Sequence, residues 1–279
     1  MEKLSDLPNV TLGVIGCGNM GSAMVEGVVR YGLLPPASIT IADTDEEKVK
    51  NLVDSFGVIG GDVSLASRAD CLLLAVKQKD LPCLCRKISS EITISTLIIS
   101  VVAGILISEL ERMLDTPAQV VRMMPNLAVA SGKGVMAFSL GKFARPLTVT
   151  TLEALFSRLG FLFPLSEEEM PLLTAISGSG PGYLFYLAEI FYTILLERGI
   201  DPPAALKIVS LLFDGTGSIL SKGENPERLK DCVSSPGGTT IAGLRVLESY
   251  NIFEIFKKAV DAAEKRAKEL SNVTGGKND

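Results

Sequence analysis

The first half of the chain alternates short apolar runs, rich in β-branched residues, with longer stretches whose apolar residues recur at helical spacing. Six runs predict β-strands: residues 10–15, 38–42, 71–76, 96–102, 119–123 and 134–138. Residues 19–31 and 45–56 show the helical spacing between them. Apolar strands separated by helices are typical of a parallel sheet that helices cover on both faces. The pattern therefore predicts an α/β domain with a doubly wound, mostly parallel sheet.

The pattern changes near residue 165, beyond which every candidate element is helical. Residues 166–169 read Ser-Glu-Glu-Glu, which is the composition of a helix start. The helices expected beyond this point are residues 183–198, 203–221, 226–233, 239–249 and 253–270. We therefore expect an α/β domain over residues 1–165, followed by an all-α domain over residues 166–279.

Two of the expected helices, residues 183–196 and 204–213, are apolar on nearly every face. Such a helix must be buried on all sides, and a domain of roughly 110 residues cannot easily supply that burial alone. A two-fold homodimer is the simplest explanation, and burial between the two domains of one chain is the alternative. We expect the all-α domain to be a dimerisation domain, in a homodimer or a higher oligomer of dimers.

Charge and composition narrow the possible partners. The 279 residues carry 27 lysines and arginines against 32 acidic residues, a net charge of −5 with no basic stripe, which argues against nucleic-acid partners. The first ten residues lack the apolar core of a secretory signal, and the longest apolar run, residues 97–107, is too short to span a bilayer.

The five cysteines show neither a disulfide framework nor zinc spacing. We expect a cytoplasmic protein with no membrane, nucleic-acid or metal partner.

The sequence contains no histidine. This excludes Ser/His/Asp hydrolysis, proton transfer by histidine and histidine-ligated zinc. Any catalysis must therefore use hydroxyls, lysines, carboxylates, backbone amides or a cofactor.

A G-x-G-x-x-G pattern follows the first expected strand and opens the first expected helix, the context that dinucleotide binding requires. Its residues are Gly16, Cys17, Gly18, Asn19, Met20 and Gly21. Gly16 would form the tight turn, Gly18 would admit the pyrophosphate, and Gly21 would pack the helix onto the sheet. The pattern predicts a Rossmann domain; a strand–helix turn without a ligand is the alternative.

An acidic residue, Asp43, ends the second expected strand 22 positions after Gly21. A carboxylate there accepts hydrogen bonds from the adenosine ribose hydroxyls and repels a 2′-phosphate. No arginine adjoins it, and only Thr44 and Lys48 are near enough in sequence to contact a phosphate. The position therefore favours NADH over NADPH. Alternatively, Asp43, Thr44 or Asp45 caps the next helix.

The segment Val-Ser-Ser-Pro-Gly-Gly-Thr-Thr-Ile-Ala-Gly-Leu at 233–244 has the composition of an anion site made of backbone. Ser235 is a suitable helix N-cap, and Pro236 suits the first helical position. Gly237 and Gly238 allow a ligand to approach the main chain, where first-turn N–H groups would bind a small carboxylate or phosphate. The alternative is a capped helix with no ligand.

The chain resembles the pyrroline-5-carboxylate reductase family over essentially its whole length. The resemblance rests on GCGNMG at 16–21, AVK at 75–77, SVVAGI at 100–105, RMMPN at 122–126, TAISGSGPGY at 174–183 and VSSPGGTTIAGL at 233–244. It implies a Rossmann domain and a helical domain that intertwines with a second copy. It also implies transfer of a hydride from NAD(P)H to the C=N bond of 1-pyrroline-5-carboxylate, which gives L-proline in the last step of proline biosynthesis.

The resemblance implies a role for each motif. The substrate carboxylate would be bound by Ser235, Gly237, Gly238, Thr239 and Thr240, with Thr240 as the catalytic group nearest the imine nitrogen. The cofactor would be bordered by Ala75, Val76 and Lys77, and its nicotinamide by Met124, Pro125 and Asn126. Asp62 stands where the family often has an asparagine on the adenosine side, and its charge strengthens the expectation of NADH.

Five further residues depart from the family's pattern. Gln78 replaces the proline that usually follows AVK, and Leu127-Ala128 replaces Thr-Pro after MPN. Pro171 stands where an aspartate is common, and Gly182 replaces an alanine. These changes affect the expected shape of the pocket more than its chemistry.

Two other functions fit parts of the sequence. A β-hydroxyacid dehydrogenase shares the Rossmann-plus-helical plan, but it needs a lysine base, and Lys207, Lys222 and Lys230 lie in no matching motif. A non-catalytic nucleotide-sensing protein is supported only by the departures at Leu127 and Pro171.

Overall fold

The computed structural model describes residues 10–272, and these form two compact units. The first unit holds the chain up to Gly178 together with residues from Ala263 onward, and the second is Ser179–Ala262. The division expected from the sequence, between residues 165 and 166, remains a prediction about domains. The opening segment in which no secretory signal was expected lies, up to residue 9, outside the described residues.

The first unit is built on one eight-stranded sheet. The strands are β1 (Leu12–Ile15), β2 (Ile39–Ala42), β3 (Ile59–Gly60), β4 (Cys71–Leu74), β5 (Leu97–Ser100), β6 (Gln119–Met124), β7 (Gly134–Leu140) and β8 (Gly160–Pro164). Their spatial order is β3-β2-β1-β4-β5-β6-β7-β8. Among these described strands, only the β6–β7 pair is antiparallel. The doubly wound, mostly parallel sheet expected from the sequence is confirmed.

All six expected strands form, and the sequence pattern missed the two that end the sheet. Strand β3 has two residues, both exposed, and β8 is only partly buried. Neither shows the continuous apolar run that marks a strand buried on both faces. The antiparallel direction of β7 follows from its short connection to Met124, since a parallel crossover needs a dozen or more residues.

Helices cover both faces of the sheet. In the first unit they are α1 (Asn19–Arg30), α2 (Glu46–Phe56), α3 (Val63–Ser67), α4 (Leu81–Ile88), α5 (Ile107–Leu114), α6 (Pro146–Phe156), α7 (Met170–Leu173) and the end of α12 (Ile252–Asn272). Leu12 and Val14 pack in one buried cluster with Met24 of α1 and Phe156 of α6. Ile15 points to the opposite face and packs in a second cluster with α4 and α5. This alternation gives the doubly wound arrangement its two cores.

The segment that joins the sheet to the second unit differs from its expected form. The helix expected from Ser166 begins at Met170 instead, after a turn over residues 167–169 in which the Ser166 hydroxyl and amide donate to the Glu169 carboxylate. A π-helical turn, Thr174–Gly178, follows α7. Such turns occur often at functional sites.

The second unit contains α8 (Gly180–Glu197), α9 (Pro202–Leu220), α10 (Pro226–Cys232), α11 (Thr239–Ser249) and the start of α12. Helices α8 and α9 pack together, with the rings of Phe191 and Phe213 edge to face at 6.3 Å. Large apolar side chains of both helices nevertheless remain exposed, among them Phe185 and Leu206. Within residues 10–272, α9 is also the one helix that is long and apolar enough to cross a membrane, by length and composition alone.

We predict that truncating Phe156 to alanine lowers the free energy of unfolding by about 3–5 kcal/mol, because its fully buried ring leaves a cavity. Phe161→Ala is the matched control, since its ring is 65% exposed and stacks only on Phe163. We expect that change to cost less than about 1 kcal/mol. Urea unfolding at one fixed protein concentration compares the two, and equal losses would contradict the described core.

Candidate functional site

The glycine loop between β1 and α1 is shaped partly by the chain's own packing. Gly16 has φ +105°, and a Cβ on it would lie 2.6 Å from the carbonyl carbon and oxygen of Ala75. A Cβ on Gly21 would lie 1.9 Å from the carbonyl oxygen of Gly16. Folding alone therefore requires glycine at both positions, in the turn and helix-packing roles expected for them.

The middle glycine, Gly18, has no such internal reason. A Cβ on it would meet no described atom within 4 Å, and its φ of −73° suits any residue. Gly18 is the N-cap of α1, and no side chain in the described part of the chain caps that helix. The open N–H groups and the positive end of the helix dipole suit a phosphate that approaches the main chain closely. The residues present therefore fit the pyrophosphate of a dinucleotide.

The remaining loop residues, Cys17, Asn19 and Met20, have different surroundings. Asn19 is exposed, and Met20 packs partly against the first core cluster. Cys17 is buried, with its sulfur 3.8 Å from the carbonyl oxygen of Ala42. Burial, with the nearby charge of Asp43, raises the pKa of the Cys17 thiol to about 12, so it stays neutral at ordinary pH. Its backbone amide is the group that faces Asp43.

Asp43 ties the glycine loop to the end of β2. Its Oδ2 accepts a hydrogen bond from the Cys17 amide at 2.6 Å, and its Oδ1 accepts one from the Asp45 amide at 2.9 Å. The cap of α2 is Asp45, whose side chain accepts from the Glu47 amide. Lys48 pairs with Asp45 at 3.2 Å, and this hydrogen bond raises the pKa of Lys48. A carboxylate therefore lies beside the proposed pyrophosphate site, and the neighbouring lysine has an acidic partner of its own.

Asp62 is exposed and is the N-cap of α3, where its Oδ1 accepts from the Leu65 amide at 2.7 Å. This capping bond gives the residue a structural role. Its expected contact with the cofactor remains a prediction.

The segment after β4 lies directly against the glycine loop. The Ala75 amide donates to the Ile15 carbonyl at 2.8 Å, and the Ala75–Val76 backbone is the surface that leaves no room at Gly16. Lys77 is exposed and opens a 3₁₀ turn. Residues 16–21, Asp43 and residues 75–77 thus meet at the carboxyl ends of β1, β2 and β4, where doubly wound sheets bind ligands.

The residues after β6 contact the π-helical turn. Asn126 is buried, and its Nδ2 donates to the carbonyl and hydroxyl oxygens of Ser177, both at 3.2 Å. Its Oδ1 accepts from the Val135 amide, so both ends of the side chain have protein partners. The methyl group of Met124, the residue before Pro125, lies 2.7 Å from the position of a Cβ on Gly178. The sequence did not predict this contact, although two of the family's motifs, MPN at 124–126 and SGSGP at 177–181, lie on its two sides.

The turn before α11 differs from its expected form. The Gly238 amide donates to the Ser235 carbonyl at 2.9 Å, and Gly237 has φ +74°. Proline second and a left-handed glycine third are the marks of a type II turn. The prediction that Ser235 caps the helix and Pro236 opens it was therefore wrong, because this turn closes first and α11 begins at Thr239.

An uncapped helix N-terminus that suits an anion is still present, but it lies three residues later than expected. Gly238 is the N-cap of α11, and within the described residues no side chain caps the helix. Its φ and ψ of −77° and 169° nearly repeat the −73° and −172° of Gly18 before α1. Thr239 and Thr240 are exposed, and the Ser235 hydroxyl oxygen lies 2.6 Å from the position of a Cβ on Gly238. First-turn amides and three hydroxyls are thereby open to a carboxylate.

Two family models match parts of the chain. Residues 167–270 match the model described as pyrroline-5-carboxylate reductase dimerisation. Residues 11–104 match the one described as NADP oxidoreductase coenzyme F420-dependent. The first region includes the whole of the second unit, and the second covers strands β1 to β5 of the first unit.

Whole-chain comparisons agree with these models. The chain is 34% identical over 267 residues to the pyrroline-5-carboxylate reductase of Methanosarcina acetivorans, covering 95% of this chain and 99% of that protein. It is similar to the crystal structure of the Plasmodium falciparum pyrroline carboxylate reductase with NADP bound, with a TM-score of 0.84 at 25% identity over 94% of this chain and 98% of that one. A pyrroline-5-carboxylate reductase structure from Coxiella burnetii gives a TM-score of 0.83 at 28% identity, covering 95% and 99%. The resemblance inferred from the motifs is confirmed.

The three loop glycines give a test that separates folding from ligand binding. We predict that Gly18→Ala leaves the melting temperature nearly unchanged but weakens dinucleotide binding, because its methyl group would occupy only the open space at the N-terminus of α1. Gly21→Ala should instead lower the melting temperature, since its methyl group would overlap the Gly16 carbonyl. Thermal unfolding and dinucleotide titration measure the two effects, and unchanged dinucleotide affinity in Gly18→Ala would contradict the assignment.

Proposed function

Since the chain belongs to the pyrroline-5-carboxylate reductase family, we propose that it reduces the C=N bond of 1-pyrroline-5-carboxylate with NAD(P)H to give L-proline, the last step of proline biosynthesis. The observation that carries the proposal is the uncapped first turn of α11, within the family's VSSPGGTTIAGL segment. A second uncapped helix, α1, offers the same kind of site for the cofactor pyrophosphate. One chain thus carries a site for each of the two anionic ligands that the reaction requires.

The substrate carboxylate binds at the start of α11 in this proposal. The amides of the first turn donate to the carboxylate oxygens, and the dipole of α11 favours the negative charge. Ser235 adds a hydroxyl donor, while Gly237 and Gly238 keep the approach to the main chain free of side chains. Thr239 contributes its amide. This arrangement orients the ring by its carboxylate, away from the bond that reacts.

Thr240 is the catalytic group in this proposal. Reduced nicotinamide, when bound, supplies the hydride that forms a C–H bond at the imine carbon while the C=N π electrons pass to nitrogen. Protonation of the imine nitrogen makes that carbon electrophilic, so the substrate needs no strong acid from the enzyme. The Thr240 hydroxyl orients the nitrogen and relays its proton. Positioning supplies most of the rate enhancement, worth up to about 7–11 kcal/mol in ideal cases.

The proposed cofactor site consists of the glycine loop, Asp43, Asp62 and the two segments 75–77 and 124–126. Lys77 lies near the ribose or phosphate, and Met124, Pro125 and Asn126 border the nicotinamide. The finer proposal is a preference for NADH. Asp43 accepts two backbone hydrogen bonds and retains lone pairs for ribose hydroxyls, while its charge opposes a 2′-phosphate. Lys48, which is paired with Asp45, gives that phosphate little compensation.

We propose that the chain forms a homodimer or a higher oligomer of dimers. The exposed apolar faces of α8 and α9 support this proposal. The match of residues 167–270 to a dimerisation model supports the same conclusion. We propose that α9 packs against a second copy rather than in a membrane. Cytoplasmic location and the lack of nucleic-acid, membrane and metal partners belong to this proposal as well.

We predict faster turnover with NADH than with NADPH, measured as initial rates of nicotinamide oxidation with 1-pyrroline-5-carboxylate. Asp43→Ser should weaken the preference about fivefold or more, because it removes the repulsion between the carboxylate and the 2′-phosphate. Two like charges about 4 Å apart in water repel each other by about 1 kcal/mol. Asp62→Asn is the comparison, because asparagine keeps the cap of α3 and removes only the charge. A wild-type preference for NADPH would contradict the interpretation of Asp43 and leave the reductase activity intact.

We predict that Ser235→Ala raises KM for the imine about tenfold, the loss expected for one hydrogen bond to a charged group. Thr240→Val should lower kcat more than it raises KM, because it removes the hydroxyl nearest the reacting nitrogen. Ser234→Ala is the matched control, since the Ser234 hydroxyl already donates to the Lys230 carbonyl at the end of α10. Equal kinetics in Ser234→Ala and Ser235→Ala would contradict the carboxylate site. Turnover of hydroxyacids but not of cyclic imines would replace the reductase with a hydroxyacid dehydrogenase.

A further inference from the structure

The side chain of Gln78 connects three distant parts of the first unit. Its Nε2 donates to the Gly104 carbonyl at 3.2 Å and to the Leu270 carbonyl at 3.0 Å. Gly104 lies in the turn after β5, and Leu270 lies in the last turn of α12, 192 residues away along the chain. Both amide hydrogens of Gln78 are therefore directed to backbone oxygens.

Leu270 has a carbonyl that needs such a donor. The last four carbonyls of a helix lack partners within it, and α12 ends at Asn272. Gln78 therefore acts as a C-terminal cap supplied by a loop that is remote in sequence.

Gly104 gives independent evidence that the end of α12 packs against the turn after β5. Its φ is +77°, and a Cβ on it would lie 2.9 Å from the backbone carbonyl carbon and oxygen of Leu270. The helix backbone thus touches the turn after β5 at a place where only glycine leaves room.

The same loop continues into the cofactor site. Gln78 follows Lys77, and the backbone of Ala75 and Val76 lies against Gly16, with Ala75 Cβ 3.3 Å from the position of a Cβ on Gly21. The segment from Ala75 to Gln78 is therefore held between the glycine loop on one side and the end of α12 on the other.

We propose that Gln78 is a positioning residue of the cofactor site, through which the end of α12 holds residues 75–77 against the glycine loop. Dinucleotide affinity then depends on a helix end that does not itself contact the dinucleotide. The inference rests on the proposed function only in taking residues 75–77 as a border of the cofactor.

The test is Gln78→Met, a side chain of similar length that packs but donates no hydrogen bond. We expect the dinucleotide dissociation constant and its KM to rise about three- to tenfold, the free energy of about one of the two hydrogen bonds that the change removes, with kcat within about twofold of wild type. Gly104→Ala should give the same split, because its methyl group displaces Leu270. The double variant should be little worse than either single one, since both changes release the same contact.

Hydrogen exchange of the amides in residues 264–272 supplies a readout apart from catalysis. It should speed up in Gln78→Met and Gly104→Ala but not in Lys268→Met, which removes only a surface pair with Glu264 on α12. Faster exchange with unchanged dinucleotide affinity would overturn the positioning role and leave the reductase proposal standing. A wild-type protein that binds no dinucleotide would overturn the proposed function and this inference together.

Discussion

The backbone contact between Gly16 and Ala75 is the constraint on which the rest of the structure depends. It brings the loops after β1 and β4 into direct contact, which a side chain at position 16 would prevent. Gly21 then packs α1 onto the Gly16 carbonyl, so the helix starts at a fixed point above the carboxyl edge of the sheet. The position of this helix start fixes where the proposed cofactor contacts lie. It also fixes the carboxylate of Asp43, which accepts a hydrogen bond from the Cys17 amide in the same loop.

The two proposed ligand sites share one feature, a helix whose first amides have no side-chain cap among the described residues and are open to an anion. Helices elsewhere in the chain, such as α2, α9 and α10, begin with an aspartate or asparagine that satisfies their first amides. Helices α1 and α11 begin instead with an extended glycine and leave those amides open. A glycine N-cap costs only a few tenths of a kcal/mol relative to serine or aspartate. The chain thus gives up little stability for two places where an anion can complete the helix.

The sequence predicted the buried parts of the fold and much less of its edges. Six strands could be recognised because burial on both faces imposes continuous apolar runs. This constraint does not apply to the two-residue β3 or to the only partly buried β8. The glycine loop was predictable because steric exclusion leaves only glycine at positions 16 and 21. The start of α11 was not, since Ser-Pro-Gly-Gly suits both a capped helix and a type II turn, and only φ at Gly237 decides. The partners of Gln78 and Asn126 depend on tertiary contacts that no local pattern contains.

The path of α12 has a consequence for how the molecule is made. Its last turns belong to the first unit, although the second unit separates them in sequence from the sheet on which they lie. During synthesis from the N-terminus, the sheet can form early, but the turn after β5 stays uncovered until the second unit and the end of α12 have left the ribosome. Closing so long a loop carries an entropic cost that grows only slowly with its length, so the delay is kinetic more than thermodynamic. The nucleotide-binding unit therefore begins to fold before the second unit is made and is completed only after it.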